Sequence, residues 1–401
     1  MVIDRTAELT GPPESSHHSP AHPLSRPIEY YGFPPSIEFD SMRRRQAFII
    51  PAMFWMLACS SPESDQAPLT ADLSNPSWVT QYQDSTLLFV GMSVVNEDVV
   101  WVSGQPDAVV HTVNGGKTWS VQKIAQNDSL RFRDVHAFSP EEVVIASLGP
   151  GSLARLYRTN DAGESWSLVL QATEPDRWFD CFSFWDHRGF MAVSSNGGMI
   201  IMQTEDAGRS WSEVPQSAAP KLIPGEHVAA ASGTCALAGA EGRGWITTRI
   251  PGFGTRVLHT SDHGSSWSAS PTPVPSGREG EGLASAAFFD AANGVAIGRV
   301  DDPEVSNVAI TNDGGITWQP GGRTVGGVVF GAAVVPGTSQ PTLVSVSRDF
   351  GSQYSIDGGQ TWIDIGEDRF WTVSFGNANA GWAAGNGRIS RIANIASDPD
   401  V

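Results

Sequence analysis

The chain has 401 residues with 42 Gly, 27 Pro and 14 Trp, a composition that suits many short strands joined by tight turns. Its formal net charge of −18 disfavours a nucleic-acid partner, because a phosphate backbone needs a basic face to neutralise it. No run of about twenty apolar residues occurs, so no transmembrane helix is expected.

Residues 1–41 are rich in Pro, Ser and His without periodicity and read as a disordered or untranslated leader. Met42 opens a different stretch: Arg43-Arg44-Arg45, the apolar run Ala47–Met56, then Leu57-Ala58-Cys59-Ser60. A basic start, an apolar segment and a small-residue cleavage site describe a secretory signal peptide. The arginines only faintly resemble a twin-Arg signal, since their spacing to Phe48 is off by one. Leu57-Ala58-Cys59 resembles the bacterial lipobox, which implies translation from Met42, a signal over 42–59 and a lipid on Cys59. The protein would then be exported and membrane-anchored through that lipid alone, on the periplasmic face or at the outer membrane. The competing reading is a buried hydrophobic segment with an incidental Cys. Residues 60–74 are polar and Pro-bearing and read as a tether to a folded domain over 75–393, with 394–401 as a tail.

Within that domain one motif recurs six times as Ser/Thr-x-Asp/Asn-x-Gly-x-Ser/Thr-Trp. Its Asp or Asn and its Trp are Asn114 and Trp119, Asp161 and Trp166, Asp206 and Trp211, Asp262 and Trp267, Asp313 and Trp318, and Asp357 and Trp362. Successive tryptophans stand between 44 residues apart (Trp318 to Trp362) and 56 apart (Trp211 to Trp267), a blade-sized period. The acidic or amide side chain bonds backbone N–H groups of its own turn, the Gly takes a positive φ, and the Trp is a large apolar plug opening the next strand. These motif residues are therefore expected to be structural.

Between the motifs the sequence alternates apolar and polar residues in short runs. The first unit reads Leu87–Val95, Val99–Ser103 and Ala108–Thr112 before its motif, and the second Phe132–Phe138, Val143–Ser147 and Leu153–Arg158. The third reads Trp178–Phe184, Phe190–Ser194 and Met199–Gln203. The fourth is least regular, with an expected outlying loop at Ala238–Pro251. The fifth reads Leu283–Phe289, Gly294–Arg299 and Asn307–Thr311, and the sixth Gly327–Val335, Thr342–Ser347 and Ser352–Ser355. Two pieces remain: Trp371–Phe375, Gly381–Ala384 and Arg388–Ile392 at one end, and Ser77–Tyr82 at the other. Pairing them closes the circle and removes exposed edges. The expectation is an all-β, seven-bladed β-propeller of four-stranded antiparallel blades, closed by the strand at Trp78.

The repeated motif resembles the Asp-box, or BNR repeat, of sialidases, sortilin-type receptors and photosystem II assembly-factor propellers, where it joins the third and fourth strands of a blade. Arg131–Phe138, Trp178–Asp186 and Ala229–Thr234 narrow the resemblance, over 75–393, to bacterial propellers related to the photosystem II stability/assembly factor. That resemblance implies a non-enzymatic, often exported assembly factor; its photosynthetic members carry an arginine cluster on one face near the axis. A shared fold does not transfer the client.

Arg133, Arg177, Arg323 and Arg369 stand at or just before first strands, and Arg278 precedes another. Gathered at one mouth of a central channel, they would read anions or carboxylates. Alternatively each pairs with a nearby acid: Asp134, Asp176, Asp180, Glu279 or Asp368. The favoured function is a non-catalytic scaffold, monomeric, gripping a protein or peptide client. The alternative is a sialidase-like glycoside hydrolase, which needs an arginine triad, a Tyr nucleophile and an acid. The domain offers only Tyr82, Tyr157 and Tyr354, and lacks that family's Phe/Tyr-Arg-Ile-Pro signature. No zinc spacing, dinucleotide fingerprint or Walker loop occurs, so no cofactor or metal is expected; Asp301-Asp302 reads as a surface loop or a weak calcium ligand. Cys181 and Cys235 either pair, as an export compartment permits, or remain buried thiols.

Overall fold

The computed structural model describes residues 73–394, apart from 126–129, 229–231 and 279. The leader, Cys59 with its signal segment, most of the tether, Glu279 and the C-terminal tail lie outside the described residues. Apart from four short 3-10 turns, every regular element among the described residues is a strand.

The strands form six sheets. Arg131–Ala137, Val143–Leu148, Arg155–Thr159 and Ser167–Gln171 make one antiparallel meander, and Trp178–Phe184, Gly189–Ser195, Gly198–Thr204 and Ser212–Glu213 make the next. In the third, His227–Val228 and Ala236–Ala238 both pair with Gly244–Ile250, which continues into Gly254–Thr260 and Ser268–Thr272. The region expected to be an outlying loop is thus the second strand of a sheet. Its Trp245 and Ile246 are fully buried, and that apolar pair was the overlooked strand signal. Gly282–Phe288, Gly294–Arg299, Val308–Thr311 and Gln319–Pro320 follow, then Gly331–Val334, Leu343–Ser347, Gly351–Ser355 and Ile363–Gly366.

The sixth sheet corrects the expected count of seven blades to six. It runs Thr372–Phe375, Gly381–Asn394, Pro76–Val94, Val100–Gln105, Ala108–Thr112, Ser120–Gln122. Gly381–Asn394 turns back at Gly387, φ 65°, so that a Cβ on Gly381 would lie 2.7 Å from Ile392, and the pairing of Pro76–Val94 is interrupted between Gln83 and Leu88. Leu88, opposite both Asn386 and Gln105, joins the C-terminal strands to those of the first motif in one sheet. What reads as two blades in the sequence is one double-length sheet, whose register shifts between Gln83 and Leu88. The chain ends do pair, with Trp78 opposite Ile392 and Thr80 opposite Ser390. Trp78 donates to Ser352 Oγ at 2.7 Å and meets Phe370 edge-on at 5.2 Å.

Burial follows position in each sheet. Second strands such as Val143–Leu148 and Leu343–Ser347 are buried on both faces, because neighbouring sheets cover them, and in Val143–Leu148 the sequence loses strict alternation. Fourth strands such as Ser120–Gln122 and Ser212–Glu213 lie at the exposed rim. The motif tryptophans fill the spaces between layers: Trp119 meets Trp382 at 5.6 Å, Trp166 meets Trp101 at 6.3 Å, and Trp267 meets Phe190 at 4.9 Å. The motif glycine makes this contact possible. Gly116 has φ 84°, and a Cβ there would stand 2.6 Å from the Trp382 ring.

Candidate functional site

The first strands surround the axis but belong to different sheets, so side-chain oxygens bridge them. Ser93 Oγ accepts from Ala137 N at 3.0 Å, Asp134 Oδ2 from Phe182 N at 2.9 Å, Ser183 Oγ from Ala238 N at 2.9 Å and Ser285 Oγ from Ala332 N at 3.1 Å. The short turn Gly233–Cys235 packs among the first strands Arg131–Ala137, Trp178–Phe184, Gly282–Phe288 and Gly331–Val334. Ser232 Oγ donates to Phe330 O at 2.9 Å, and a Cβ on Gly233 would lie 2.2 Å from Asp134 Oδ1. Cys235 is disulfide-bonded to Cys181, which ties the turn to the neighbouring first strand and decides between the two readings of these cysteines.

Two cavities open along these strands, and their chemistry differs. One, of about 320 Å³, is lined by Met92, His136, Phe182, Thr234, Phe288 and Phe375 among others. Burial depresses the His136 imidazole to about 4, so at neutral pH this end carries no histidine charge. The other cavity, of about 490 Å³, is lined by Trp178, Asp180, His227, Phe330 and three arginines, Arg249, Arg299 and Arg348.

Those arginines hold equivalent places. Arg249 lies near the end of the second strand Gly244–Ile250, Arg299 ends Gly294–Arg299, and Arg348 follows Leu343–Ser347. Arg249 Nε donates to His227 Nε2 at 2.8 Å, which fixes the tautomer whose Nδ1–H faces Gly225 O at 3.0 Å. Arg299 Nε pairs with Asp301 Oδ1 at 2.8 Å. The Arg348 guanidinium sits 4.9 Å from the Phe330 ring centre and 5.0 Å from that of Trp371, with Asp349 at 3.4 Å. Aromatic faces hold a cation in place without neutralising it.

Deeper in, Arg133 is buried beside Asp180 and Asp134. Burial raises the Asp134 carboxyl to about 7, against the N–H groups of Phe182 and Val135 and the Arg133 charge. Burial raises Asp180 as well, opposed by Arg133 and by the Ser194 N–H at 2.9 Å.

Residues 74–198 match the family described as photosynthesis system II assembly factor YCF48. Over those residues this BNR-repeat β-propeller is homologous to that family. A structure of YCF48 bound to D1 peptide is 17% identical with a TM-score of 0.57, covering 81% of this chain and 98% of its own. YCF48 from Cyanidioschyzon merolae is 16% identical with a TM-score of 0.55, covering 79% and 98%. A streptogramin B lyase structure is 10% identical with a TM-score of 0.57, covering 79% and 97%. Such identities show a shared fold alone. No curated protein sequence matches.

In this BNR-repeat propeller the motif carboxylates are engaged within their own turns. Asp161 Oδ1 accepts from Ser165 N at 2.9 Å and Oδ2 from Ser165 Oγ at 2.6 Å, and those bonds hold its pKa at about 2. Asp206, Asp262, Asp313 and Asp357 repeat the pattern, and Asn114 accepts from Thr118 N at 2.9 Å. None of the five arginines singled out in the sequence lines either cavity. Arg133 is buried; Arg177 pairs with Glu174 at 3.0 Å and Glu213 at 2.7 Å; Arg323 donates to Val300 O at 2.9 Å and to Val305 O. Arg278 and Arg369 are exposed. Arg249, Arg299 and Arg348 were missed, although each stands about one unit from the next. The weight given to strand starts hid that second period, which marks strand ends on the same face.

The tyrosines lie elsewhere. Tyr157 is packed with Phe132 and receives a bond from Arg155 at 3.1 Å, Tyr354 is buried with Val344 and Phe370, and Tyr82 rests on Phe89 and Trp119. Among the described residues, no three or more His, Cys, Asp or Glu side chains group so as to hold a metal.

Proposed function

We propose that this propeller is a non-catalytic, exported lipoprotein that binds a protein or peptide client through the arginine-lined mouth of its channel, in the manner of an assembly-factor scaffold. The observation that carries the reading is the set Arg249, Arg299 and Arg348 at one register of three successive sheets around a single cavity. Guanidiniums held at fixed spacing on a rigid frame suit carboxylates, and their ordering precedes binding. Arg278 and Arg369, exposed at strand starts on the same face, extend that positive field; Arg133 lies beneath it. Its homologue YCF48 has been seen with D1 peptide bound, a precedent for a peptide client.

Binding of a labelled acidic peptide to the full chain tests this. The expected result is micromolar or tighter binding that weakens steeply with added salt and is lost in the Arg249→Ala/Arg299→Ala/Arg348→Ala variant at unchanged melting temperature. Binding that survives the triple substitution overturns the assignment. So does hydrolysis of a sialoside by the wild type that Tyr157→Phe or Tyr354→Phe abolishes. For the anchor, mass spectrometry of the native N-terminus should find an acylated Cys59; an unacylated chain retaining residues 1–41 overturns it.

A further inference from the structure

The arginine mouth is rimmed on one side by apolar side chains that nothing in the fold requires to be exposed. Phe253 is 88% exposed in the turn between Gly244–Ile250 and Gly254–Thr260, four positions after Arg249. Phe350, 49% exposed, is two positions after Arg348 in the turn to Gly351–Ser355. Val325, 52% exposed, belongs to the connection before Gly331–Val334 and is held by Gln353 Oε1 accepting from its N–H at 3.0 Å. Gly326 lies against the Phe350 ring, where a Cβ would stand 2.3 Å away, so Val325 and Phe350 are neighbours. Val328 bridges to Arg299, which places that pair beside the second arginine.

All these groups lie on one face for a topological reason. In an antiparallel meander the end of a second strand, its turn to the third strand and the start of the first strand share an edge of the sheet. Gly282 opposite Arg299 shows this register directly. Among the described residues, Phe253, Val325 and Phe350 therefore gather with Arg249, Arg299 and Arg348 over three successive sheets.

Resting on the reading of that mouth as a client site, we infer that the client segment is an extended peptide carrying both acidic and large apolar side chains, its acids on Arg249, Arg299 and Arg348 and its apolar groups on Phe253, Val325 and Phe350. A purely acidic ligand would leave the three apolar groups in water, and a small ligand confined to the cavity would not meet residues on separate loops outside it. An anionic bilayer fits less well, because the chain carries a net charge of −18 and its arginines are recessed. Covering exposed apolar groups beside oriented cations supplies affinity from the first and register from the second.

The test uses the full chain and four probes: labelled peptides of equal length alternating Glu with Leu, Glu with Ser, or Lys with Leu, and vesicles of phosphatidylglycerol. Wild type should bind the Glu–Leu peptide about tenfold more tightly than Glu–Ser, a modest return for three partly covered apolar groups, and Lys–Leu not at all. The Phe253→Ser/Val325→Ser/Phe350→Ser variant should lose that margin yet keep the Glu–Ser affinity. Phe253→Ser alone, at the most exposed site, should lose part of it without altering the melting curve. Equal affinity of wild type for Glu–Leu and Glu–Ser overturns the inference but leaves the arginine site standing. Failure to bind either acidic peptide removes both. Vesicle binding that the serine variant abolishes, without a Glu–Leu preference, overturns it in favour of a membrane surface.

Discussion

The two ends of the channel are built from the same strands and behave as different materials. At one end Met92, Phe182, Phe288 and Phe375 share an uncharged lining with Ser93, Ser183, Thr234 and His136; at the other Arg249, Arg299 and Arg348 stand among Trp178, Phe330, His227 and Asp180. The difference comes from what supports each end. Phe288, at the uncharged mouth, is stacked 3.5 Å from Trp245, whose indole donates to Gly314 O at 2.8 Å, so that lining is continuous with the core between sheets. The arginines sit where second strands run out into turns, partly in solvent, with Asp301 and Asp349 from their own loops and His227, Phe330 and Trp371 from neighbouring segments as partners. The uncharged mouth is continuous with the core through Phe288, while the charged mouth is added to its edge.

That contrast predicts unequal costs of mutation. Trp245→Ala should be the most damaging, lowering stability in urea by about 3–5 kcal/mol, since it removes a fully buried indole and the support under Phe288. A loss below about 1 kcal/mol would mean that the uncharged mouth does not depend on the core. Replacing Cys181 and Cys235 together by Ser should cost about 2–4 kcal/mol, because their bond closes a long loop, with a sequence separation of 54. It should also speed hydrogen exchange at Gly233–Cys235 before that of the sheets; uniform exchange would show that the turn is held without the disulfide.

The smallest net effect lies in pH dependence, where two residues of one first strand pull in opposite directions and largely offset each other. Asp134 is raised to about 7 by burial, so between about pH 4 and 7 the folded protein keeps a proton that the unfolded chain has lost, and stability falls as pH rises through that window. His136 is depressed to about 4, so its contribution is present above about 6.5, the unfolded value, and is lost as pH falls toward 4. Asp134→Asn should make stability rise more steeply with pH than in wild type across that range, and His136→Gln should make it rise less. Parallel pH profiles for wild type and both variants would show that neither group changes its proton affinity on folding.

The sequence by itself determined the β-propeller class, the turns and the closure of the ring. Those features are local or periodic: Asp161 and Ser165 bond within one turn, Trp166 follows at a fixed offset, and the pairing of Ser77–Tyr82 with Arg388–Ile392 follows from leftover strands that would otherwise expose an edge. Tertiary structure decided what depends on continuity and direction. Only the hydrogen-bonded path through Pro76–Val94 and Gly381–Asn394 puts two expected blades in one sheet, because Leu88, beyond the interruption at Asp84, faces both Asn386 and Gln105. It also decided which arginines meet. Arg177 and Arg323 have the spacing of a ring but turn to Glu213 and to the carbonyls of Val300 and Val305, because a long flexible side chain takes the nearest acceptor. Arg249, Arg299 and Arg348 gather because their strands end at one height around an axis, and a linear sequence does not record that height.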